Sequence, residues 1–299
     1  MSPRLRLFVN QTDANASKTG FVKTRRLGRL RRKCLAPAPC AGIFCQGTLM
    51  RILLTNDDGI QAAGLAAIHN SLLEAGHTVY VVAPVTEQSA VGHALTVFIP
   101  LRVKDFRESG FFGLGVYGTP TDCVKLALSR LLPEKPDLVV SGINAGPNVG
   151  PDILYSGTVA AATEAAHLGF PALALSLEDF RLTDAKDQAR HAAGLIARID
   201  WNRLPPRRVV NVNYPNLPIT RTKGLRVCPQ TKAVWKDWYE ERKDPRGNPY
   251  WWLQGEIPLE TVDAGSDRDL LSQGYITLTP LHFDFTDREH LGFFDGIAD

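Results

Sequence analysis

The most constraining feature of this 299-residue chain is a regular alternation of short apolar runs with longer helical segments. The apolar runs predict strands at residues 51–55, 77–83, 137–141, 172–176 and 208–213. The segments between them predict helices at 62–75, 121–132, 158–168 and 184–199. Strands that are apolar throughout and alternate with helices indicate a parallel sheet covered on both faces. Ligands of such sheets bind beyond the carboxyl ends of the strands, so the residues after each strand are the functional candidates.

The C-terminal part follows a different pattern. Residues 235–256 form two aromatic-rich arms around 244–248, where Pro, Gly and Asn indicate the turn of a hairpin. A further strand is predicted at 275–280, with residues 282–286 extending it. We therefore expect β-rich arms attached to the α/β core, and an exposed aromatic hairpin is typical of subunit contacts.

The charge of the chain is unevenly spread. It has 34 Lys and Arg against 31 Asp and Glu, a net charge of +3, yet residues 1–49 hold ten of the basic residues and only one acid, Asp13. Residues 50–299 are therefore acidic overall, and the basic average is no argument that the main domain binds nucleic acid. An acidic domain that handles anions needs a cation or a local positive site.

The basic extension, residues 1–49, is predicted to lie outside the folded domain, which we expect at 50–299. Its composition permits a transit peptide, a basic disordered arm, or upstream sequence added by a mis-assigned start codon. We favour the last interpretation, because Met50 opens directly into the first predicted strand. No membrane span is predicted, and the five cysteines predict no disulfide framework, which favours a reducing cytoplasm.

Several common catalytic patterns are missing from the sequence. It has no GxxxxGK[ST] phosphate-binding loop and no GxSxG of serine hydrolases. Neither D-x-D on the first strand nor HExxH or paired cysteines for zinc occurs. The candidates must therefore come from the residues that follow the predicted strands.

Two adjacent carboxylates, Asp57 and Asp58, follow the first predicted strand. They repel each other and lose hydration, so they need a cation or strong hydrogen-bond donors, and hard oxygen ligands select Mg²⁺, Mn²⁺ or Ca²⁺. The alternative is a plain turn, which Asn56–Gly59 would also form well. After the second strand, Ser89 offers a hydroxyl to a metal or phosphate, whereas we interpret His93 as a hydrogen-bonding loop residue.

A loop rich in glycine and asparagine, residues 142–155, follows the strand at 137–141. Its glycines let backbone N–H groups approach an anion, and Asn144 and Asn148 offer carbonyl oxygens to a metal or amides to a phosphate. A plain connecting loop is the alternative, although loops of this length are commonly functional. The next helix begins at 156–158, where Ser, Gly and Thr fit either an N-cap or an anion site at the positive helix end.

Taken together, these motifs resemble the SurE (survival protein E) family of metal-dependent nucleotidases. The resemblance covers residues 50–299, with Ala161 standing where many members have glycine and residues 1–49 having no counterpart. The matching stretches are MRILLTNDDGI at 50–60, APVTEQSAVGHALT at 83–96, YGTPTDCV at 117–124, VSGINAGPNVGPDILYSGTVAAATEA at 140–165 and GFPALALS at 169–176.

The resemblance implies one divalent cation per subunit, Mg²⁺ or Mn²⁺, beside a phosphate site. The implied cation ligands are Asp57, Asp58, Ser89 and Asn144. The implied phosphate contacts are Asn148, Ser156, Gly157 and Thr158. One of the two aspartates would also act as base or nucleophile, and the sequence does not single out which.

The resemblance also implies an activity and an assembly. The activity is hydrolysis of nucleoside 5′- and 3′-monophosphates to nucleoside and phosphate. The fold is a Rossmann-like, doubly wound, mostly parallel α/β sheet with a C-terminal β-rich hairpin, and arms exchanged within a homodimer or homotetramer. No nucleic-acid or membrane partner is expected. The alternatives are hydrolysis of short-chain polyphosphate or another phosphomonoester, and a nucleotide-binding module without catalysis.

Overall fold

The computed structural model of the protein describes residues 48–108 and 111–297. The strands in these residues are β1 (Arg51–Thr55), β2 (Thr78–Pro84), β3 (Val103–Glu108), β4 (Phe111–Val116), β5 (Leu138–Ala145), β6 (Ala172–Leu177), β7 (Arg208–Tyr214), β8 (Leu225–Val227), β9 (Lys236–Lys243), β10 (Pro249–Glu256) and β11 (Ile276–His282). The α-helices are α1 (Ala63–Glu74), α2 (Pro120–Leu126), α3 (Gly157–His167), α4 (Lys186–Arg198) and α5 (Asp267–Ser272).

Our predictions for the basic extension fall on residues 1–47, which lie outside the described residues, so the domain boundary at residue 50 stays a prediction. Within 48–108 and 111–297, no helix combines the length and the apolar character that a bilayer crossing requires.

The core of the fold is a nine-stranded sheet with the strand order β3-β4-β2-β1-β5-β6-β7-β11-β8. The run from β4 to β7 is parallel, whereas β3 and β11 run antiparallel to β4 and β7. The carboxyl ends of β1, β2, β5, β6 and β7 therefore meet at one edge of the sheet, where such folds bind ligands. The predicted Rossmann-like, mostly parallel α/β fold is confirmed.

Helices cover both faces of this sheet because its central strands are apolar on both sides. Leu54 of β1 packs in a cluster with Leu65 of α1 and residues of α4, whereas Leu53 faces the opposite cluster with Val159 of α3. All four side chains are at most 1% exposed. Each contributes about 1.5–3 kcal/mol of hydrophobic free energy, which fixes β1 and thus the two aspartates that follow it.

Four boundaries differ from the sequence predictions. Strand β5 continues to Ala145, so the first four residues of the loop predicted at 142–155 belong to the strand, and the last two of these pair with β6. The helix predicted at 121–132 ends as an α-helix at Leu126 and continues as a π-helical segment, Ala127–Leu131. The strand predicted at 275–280 is not part of an arm but lies in the main sheet as β11, because its consecutive residues Ile276 and Thr277 are both buried, one on each face. Residues 283–286 do not extend this strand.

Four short elements were not predicted from periodicity: β3, β4, β8 and α5. Strand β3 has the sequence VKDFRE, whose charges are typical of an edge strand that must not pair with other chains. Strand β8 has three residues and α5 has six, too few to show a period.

The predicted aromatic hairpin is confirmed as β9 and β10, which form a separate two-stranded antiparallel sheet. Trp251 and Trp252 of β10 point to opposite faces, since neighbouring strand residues alternate, and they are 56% and 55% exposed. Among residues 48–108 and 111–297, none therefore covers these two side chains fully, and isolated two-stranded hairpins are marginally stable in water.

Candidate metal and phosphate site

Most of the predicted site residues come together at the carboxyl edge of the sheet, around a cavity of about 420 Å³. Asp57 and Asp58 follow β1, Ser89 lies in the loop after β2, and Asn144 lies near the end of β5. The predicted residues that line the cavity are Asp57, Asp58, Ser89, Asn144, Asn148 and Ser156. Gly157 and Thr158 contact Asp57 from the start of α3 instead.

Asp57 is the more buried of the two carboxylates, at 5% exposed. Its Oδ1 accepts a hydrogen bond from the Thr158 hydroxyl, and its backbone carbonyl accepts one from the Gln88 N–H at 2.8 Å. Burial raises the pKa of Asp57, and the hydrogen bond from Thr158 opposes that rise. The charged form of this carboxylate is therefore unfavourable in free energy unless a positive charge is placed beside it.

Asp58 is partly buried and faces the end of β5. Its Oδ2 accepts a hydrogen bond from the backbone N–H of Ala145 at 3.1 Å. Burial, followed by the charge of the neighbouring Asp57, raises the pKa of Asp58 to about 6. The two carboxylates therefore resist simultaneous ionisation in the absence of a cation.

The side-chain amide of Asn144, near the end of β5, is oriented by the backbone just after the strand. Its Nδ2 donates to the carbonyl of Gly146 at 2.8 Å. Because the amide nitrogen is engaged in that bond, Oδ1 is the atom that the side chain presents as a neutral oxygen donor. This is the type of ligand that hard divalent cations accept beside carboxylates.

Asn148 belongs to a buried network of amides and hydroxyls. Its backbone N–H donates to Oδ1 of Asn213 at 2.7 Å, and its Nδ2 donates to the Ser176 hydroxyl at 2.8 Å. Its carbonyl accepts from the side chains of Asn211 and Asn213 at 2.9 and 3.1 Å. These bonds anchor the glycine-rich loop to β6 and β7, and the second Nδ2 hydrogen of Asn148 is left for a ligand.

The start of α3 is held by its own side chains. The Ser156 hydroxyl caps the helix by accepting from the N–H of Val159 at 3.1 Å, so the predicted N-cap is confirmed. A side chain at Gly157 would collide with Asp57. The Ser156 hydroxyl only accepts in its cap bond, so its own hydrogen and the backbone N–H of Gly157 are the donors that an anion would meet at the positive end of the helix.

The loop that carries Ser89 is fastened on both sides. The N–H of Gly92 donates to the carbonyl of Tyr155 at 2.9 Å, and Nε2 of His93 lies 2.9 Å from Oε2 of Glu164 in α3. The interpretation of His93 as a hydrogen-bonding loop residue is confirmed. Glu164 is also paired with Nζ of Lys125 at 2.6 Å. The hydrogen bond from His93 and the pairing with Lys125 lower the pKa of Glu164 to about 2.

Two acidic residues of the cavity were missed by sequence reasoning. Oε1 of Glu87 accepts a hydrogen bond from the Ser89 hydroxyl at 2.6 Å. Asp152 accepts from the indole N–H of Trp235 at 2.5 Å and from Arg268, so it ties the root of the hairpin to the cavity. The spacing Glu87-Gln88-Ser89 could have pointed to the first pair, whereas nothing in the sequence links Asp152 to Trp235.

The donor set fits a hard divalent cation. The cavity is lined by carboxylates and neutral oxygens, and no Lys, Arg or His occurs among the described residues that line it. No group of three His, Cys, Asp or Glu side chains with metal-binding geometry occurs in 48–108 and 111–297. A cation here would thus be held by the two aspartates together with hydroxyl and amide oxygens, as Mg²⁺ and Mn²⁺ accept.

Comparison with known proteins gives one consistent result. The family model described as "Survival protein SurE" matches residues 52–237. The 5′-nucleotidase SurE of Nitratidesulfovibrio vulgaris (strain DSM 19637 / Miyazaki F) is 69% identical over 240 residues, which are 80% of this chain and 89% of that protein. The 5′-nucleotidase SurE of Syntrophobacter fumaroxidans is 47% identical over 241 residues, 80% of this chain and 96% of that protein.

A solved structure agrees with the sequence comparisons. The crystal structure of the SurE protein from Aquifex aeolicus superposes with a TM-score of 0.72 at 36% sequence identity. The match covers 83% of this chain and 100% of that one. Fold and sequence therefore point to the same relatives.

Proposed function

The chain belongs to the SurE family, and from this membership we propose that it is a 5′-nucleotidase, which hydrolyses nucleoside 5′-monophosphates to nucleoside and phosphate. Relatives named 5′-nucleotidase SurE, between 59% and 69% identical over about four fifths of this chain, support this activity. Nucleoside 3′-monophosphates, which the resemblance also implies, belong to the same proposal.

The structural observation that supports the proposal most is that Asp57 and Asp58 lie next to the start of α3. Two carboxylates with raised pKa values lie beside the N-terminus of a helix, whose positive end suits a phosphate. We propose that Asp57, Asp58, Ser89 and Asn144 hold one Mg²⁺ or Mn²⁺. When bound, the cation supplies positive charge that neutralises the phosphoryl oxygens and acidifies the attacking water.

The chain's own residues would orient the phosphate and move protons. The second Nδ2 hydrogen of Asn148, the hydroxyl hydrogen of Ser156 and the backbone N–H of Gly157 donate to phosphate oxygens, which stabilises the charge of the transition state. Thr158 contributes indirectly, by holding Asp57. Asp57 or Asp58 takes the proton of the attacking water, the water oxygen bonds to phosphorus, and the bond from phosphorus to the nucleoside oxygen breaks. The departing nucleoside oxygen takes up a proton, returned by that carboxyl group or supplied by solvent. Inversion at a chiral phosphorus would identify this route, and retention would identify a carboxylate nucleophile.

The decisive experiment measures phosphate release by the purified protein. AMP, GMP and CMP are supplied with Mn²⁺ or Mg²⁺, beside short-chain polyphosphate and other phosphomonoesters, and kcat/KM is compared. We expect nucleoside monophosphates to be preferred and EDTA to abolish turnover. A higher kcat/KM for polyphosphate or another phosphomonoester would show that this compound, and not a nucleoside monophosphate, is the preferred substrate. Nucleotide-dependent thermal stabilisation without any phosphate release would favour the non-catalytic binding module.

We further propose that the protein is a homodimer or homotetramer joined through its C-terminal segments. The aromatic side chains exposed on both faces of the β9–β10 hairpin support this assembly. Light scattering after size exclusion tests it, with a monomer as the contradicting result. We also propose a cytoplasmic location, supported by the free thiols Cys123 and Cys228, and function without nucleic-acid or membrane partners.

A further inference from the structure

We propose that Glu87 is a positioning residue that turns the Ser89 hydroxyl toward the cation. The inference rests on the proposed function, because it needs Ser89 to be a cation ligand. Both side chains line the cavity beside Asp57 and Asp58, and the Ser89 Oγ donates to Oε1 of Glu87 at 2.6 Å. In this proposal Glu87 acts through Ser89 and lies outside the set of cation ligands.

The argument begins with the chemistry of a hydroxyl. A serine Oγ carries one hydrogen and two lone pairs, and it binds a cation through a lone pair. A hydrogen that points into the cation site would be repelled by the ion. When the hydrogen is instead donated to a carboxylate outside the ligand set, the lone pairs are directed to the site and the oxygen becomes more basic, as outer-shell partners do for other ligands.

The backbone on both sides of Ser89 is held in place. What remains to be oriented is therefore the Ser89 side chain with its hydroxyl hydrogen. The Gln88 N–H donates to the carbonyl of Asp57 at 2.8 Å, which ties the loop to the strand end of β1. On the other side, Ala90 has a φ of +58°, a left-handed conformation that costs of order 1–3 kcal/mol in a non-glycine residue. The Gly92 N–H closes the segment on Tyr155.

Glu87 also brings a negative charge, which would attract a cation without any orientation. The two effects are separable, because glutamine keeps the Oε1 acceptor and lacks the charge. Glu87→Gln therefore measures the loss of charge, and Glu87→Ala measures the loss of charge together with the loss of the acceptor. The ratio of their dissociation constants isolates the orienting hydrogen bond.

The test is a double-mutant cycle read by Mn²⁺ binding to the full chain without nucleotide, by calorimetry and by paramagnetic resonance. We expect Glu87→Ala to bind Mn²⁺ about tenfold more weakly than Glu87→Gln, within the range of outer-shell substitutions. In a Ser89→Ala background the two Glu87 variants should bind equally. Glu74→Ala, at the far end of α1, is the matched control for loss of an exposed carboxylate and should leave binding unchanged.

Three outcomes would overturn the inference. Equal Mn²⁺ affinities for Glu87→Ala and Glu87→Gln would remove the orienting role. A tenfold difference that persists in the Ser89→Ala background would mean that Glu87 acts on the cation directly. An unchanged affinity in Ser89→Ala alone would mean that Ser89 is no ligand.

The failure of this inference and the failure of the proposed function are distinguishable. Phosphate release from AMP and the loss of Mn²⁺ binding in Asp58→Asn test the proposed function without any Glu87 variant. If these two measurements give the expected results and the double-mutant cycle shows no coupling between Glu87 and Ser89, only the proposed role of Glu87 is refuted. If the unaltered chain binds no Mn²⁺, the proposed cation falls and this inference with it. Thermal melts check that each variant is folded, which the exposed position of Glu87 favours.

Discussion

Gly157 lies so close to Asp57 that a Cβ atom at position 157 would fall 2.8 Å from the Asp57 Cβ and 2.9 Å from its Oδ2. The next residue, Thr158, donates its hydroxyl to the same carboxylate. The strand end that carries Asp57 and the start of α3 are therefore one packed unit. A change at the helix start must displace the carboxylate.

We expect Gly157→Ala to lower kcat/KM by about 100-fold, because displacements of about 1 Å at a reacting centre can cost this much. The methyl group cannot be accommodated by a flexible side-chain end, since the nearest atom is a Cβ. Steady-state kinetics with AMP and Mn²⁺ measure the effect. Gly194→Ala in α4 is the control: nothing lies within 4 Å of the added methyl, and activity should be unchanged with a slightly raised Tm. Full activity of Gly157→Ala would contradict the packing argument.

Asp58→Asn should have opposite effects on function and on the stability of the metal-free protein. Activity and Mn²⁺ binding should be lost, because a proposed cation ligand is replaced by a neutral amide. Stability in EDTA at pH 7 should rise by on the order of 1–2 kcal/mol, because the charged carboxylate is disfavoured by burial and by Asp57. Scanning calorimetry in EDTA checks the second effect, and a lower Tm in EDTA would show that Asp58 stabilises the fold.

Cation binding should weaken in acid near the raised pKa of Asp58. In the metal-free protein that pKa is about 6, and a cation must displace the proton. The Mn²⁺ dissociation constant should therefore rise about tenfold for each unit that the pH falls below about 6, with the steeper slope once Asp57 also protonates. Calorimetric titrations between pH 5 and 8 in buffers of different ionisation enthalpy would measure the released proton. A dissociation constant that is flat over this range would refute the assignment.

Glu164 should contribute stability that is lost in acid. Its folded pKa of about 2 lies below its ordinary value of 4.5, because His93 and Lys125 stabilise the charged form. The contribution is complete above pH 4.5 and is lost as the pH falls toward 2. Relative to Glu164→Gln, the unaltered chain should lose on the order of 2–3 kcal/mol over this interval. Denaturant unfolding at pH 6 and pH 3 checks this, with Arg190→Gln, which removes an exposed ion pair to Asp187, as the control. Parallel pH curves for the two proteins would be the contrary result.

The sequence was sufficient to place the proposed cation ligands at one edge of the sheet. Apolar strands had to be central and parallel, so the residues after β1 and β5 had to converge there. That rule brings Asp58 within a hydrogen bond of Ala145 although 87 positions separate them in the chain. The polar edge strand β3 and the three-residue β8 carry no such period, and only pairing with neighbouring strands defines them.

The side-chain partners within the site were beyond prediction from the sequence. Thr158 fits an N-terminal helix residue equally well with its hydroxyl toward a phosphate or toward Asp57, and only the close packing around Gly157 decides between them. Ser176, Asn211 and Asn213 are buried polar residues on apolar strands, and no periodicity shows that they anchor Asn148.

The pairing of β8 with β11 has a consequence for how this architecture can vary. The chain leaves the main sheet after Val227 and re-enters it at Ile276, in the strand directly alongside. Residues 228–275 therefore form an insertion that begins and ends at the same edge of the main sheet. The length of residues 236–256 can therefore change while the strand order of the main sheet stays the same. The aspartates follow β1, which four strands separate from β8 in that order, so the hairpin reaches their cavity only through its root, where Trp235 donates to Asp152.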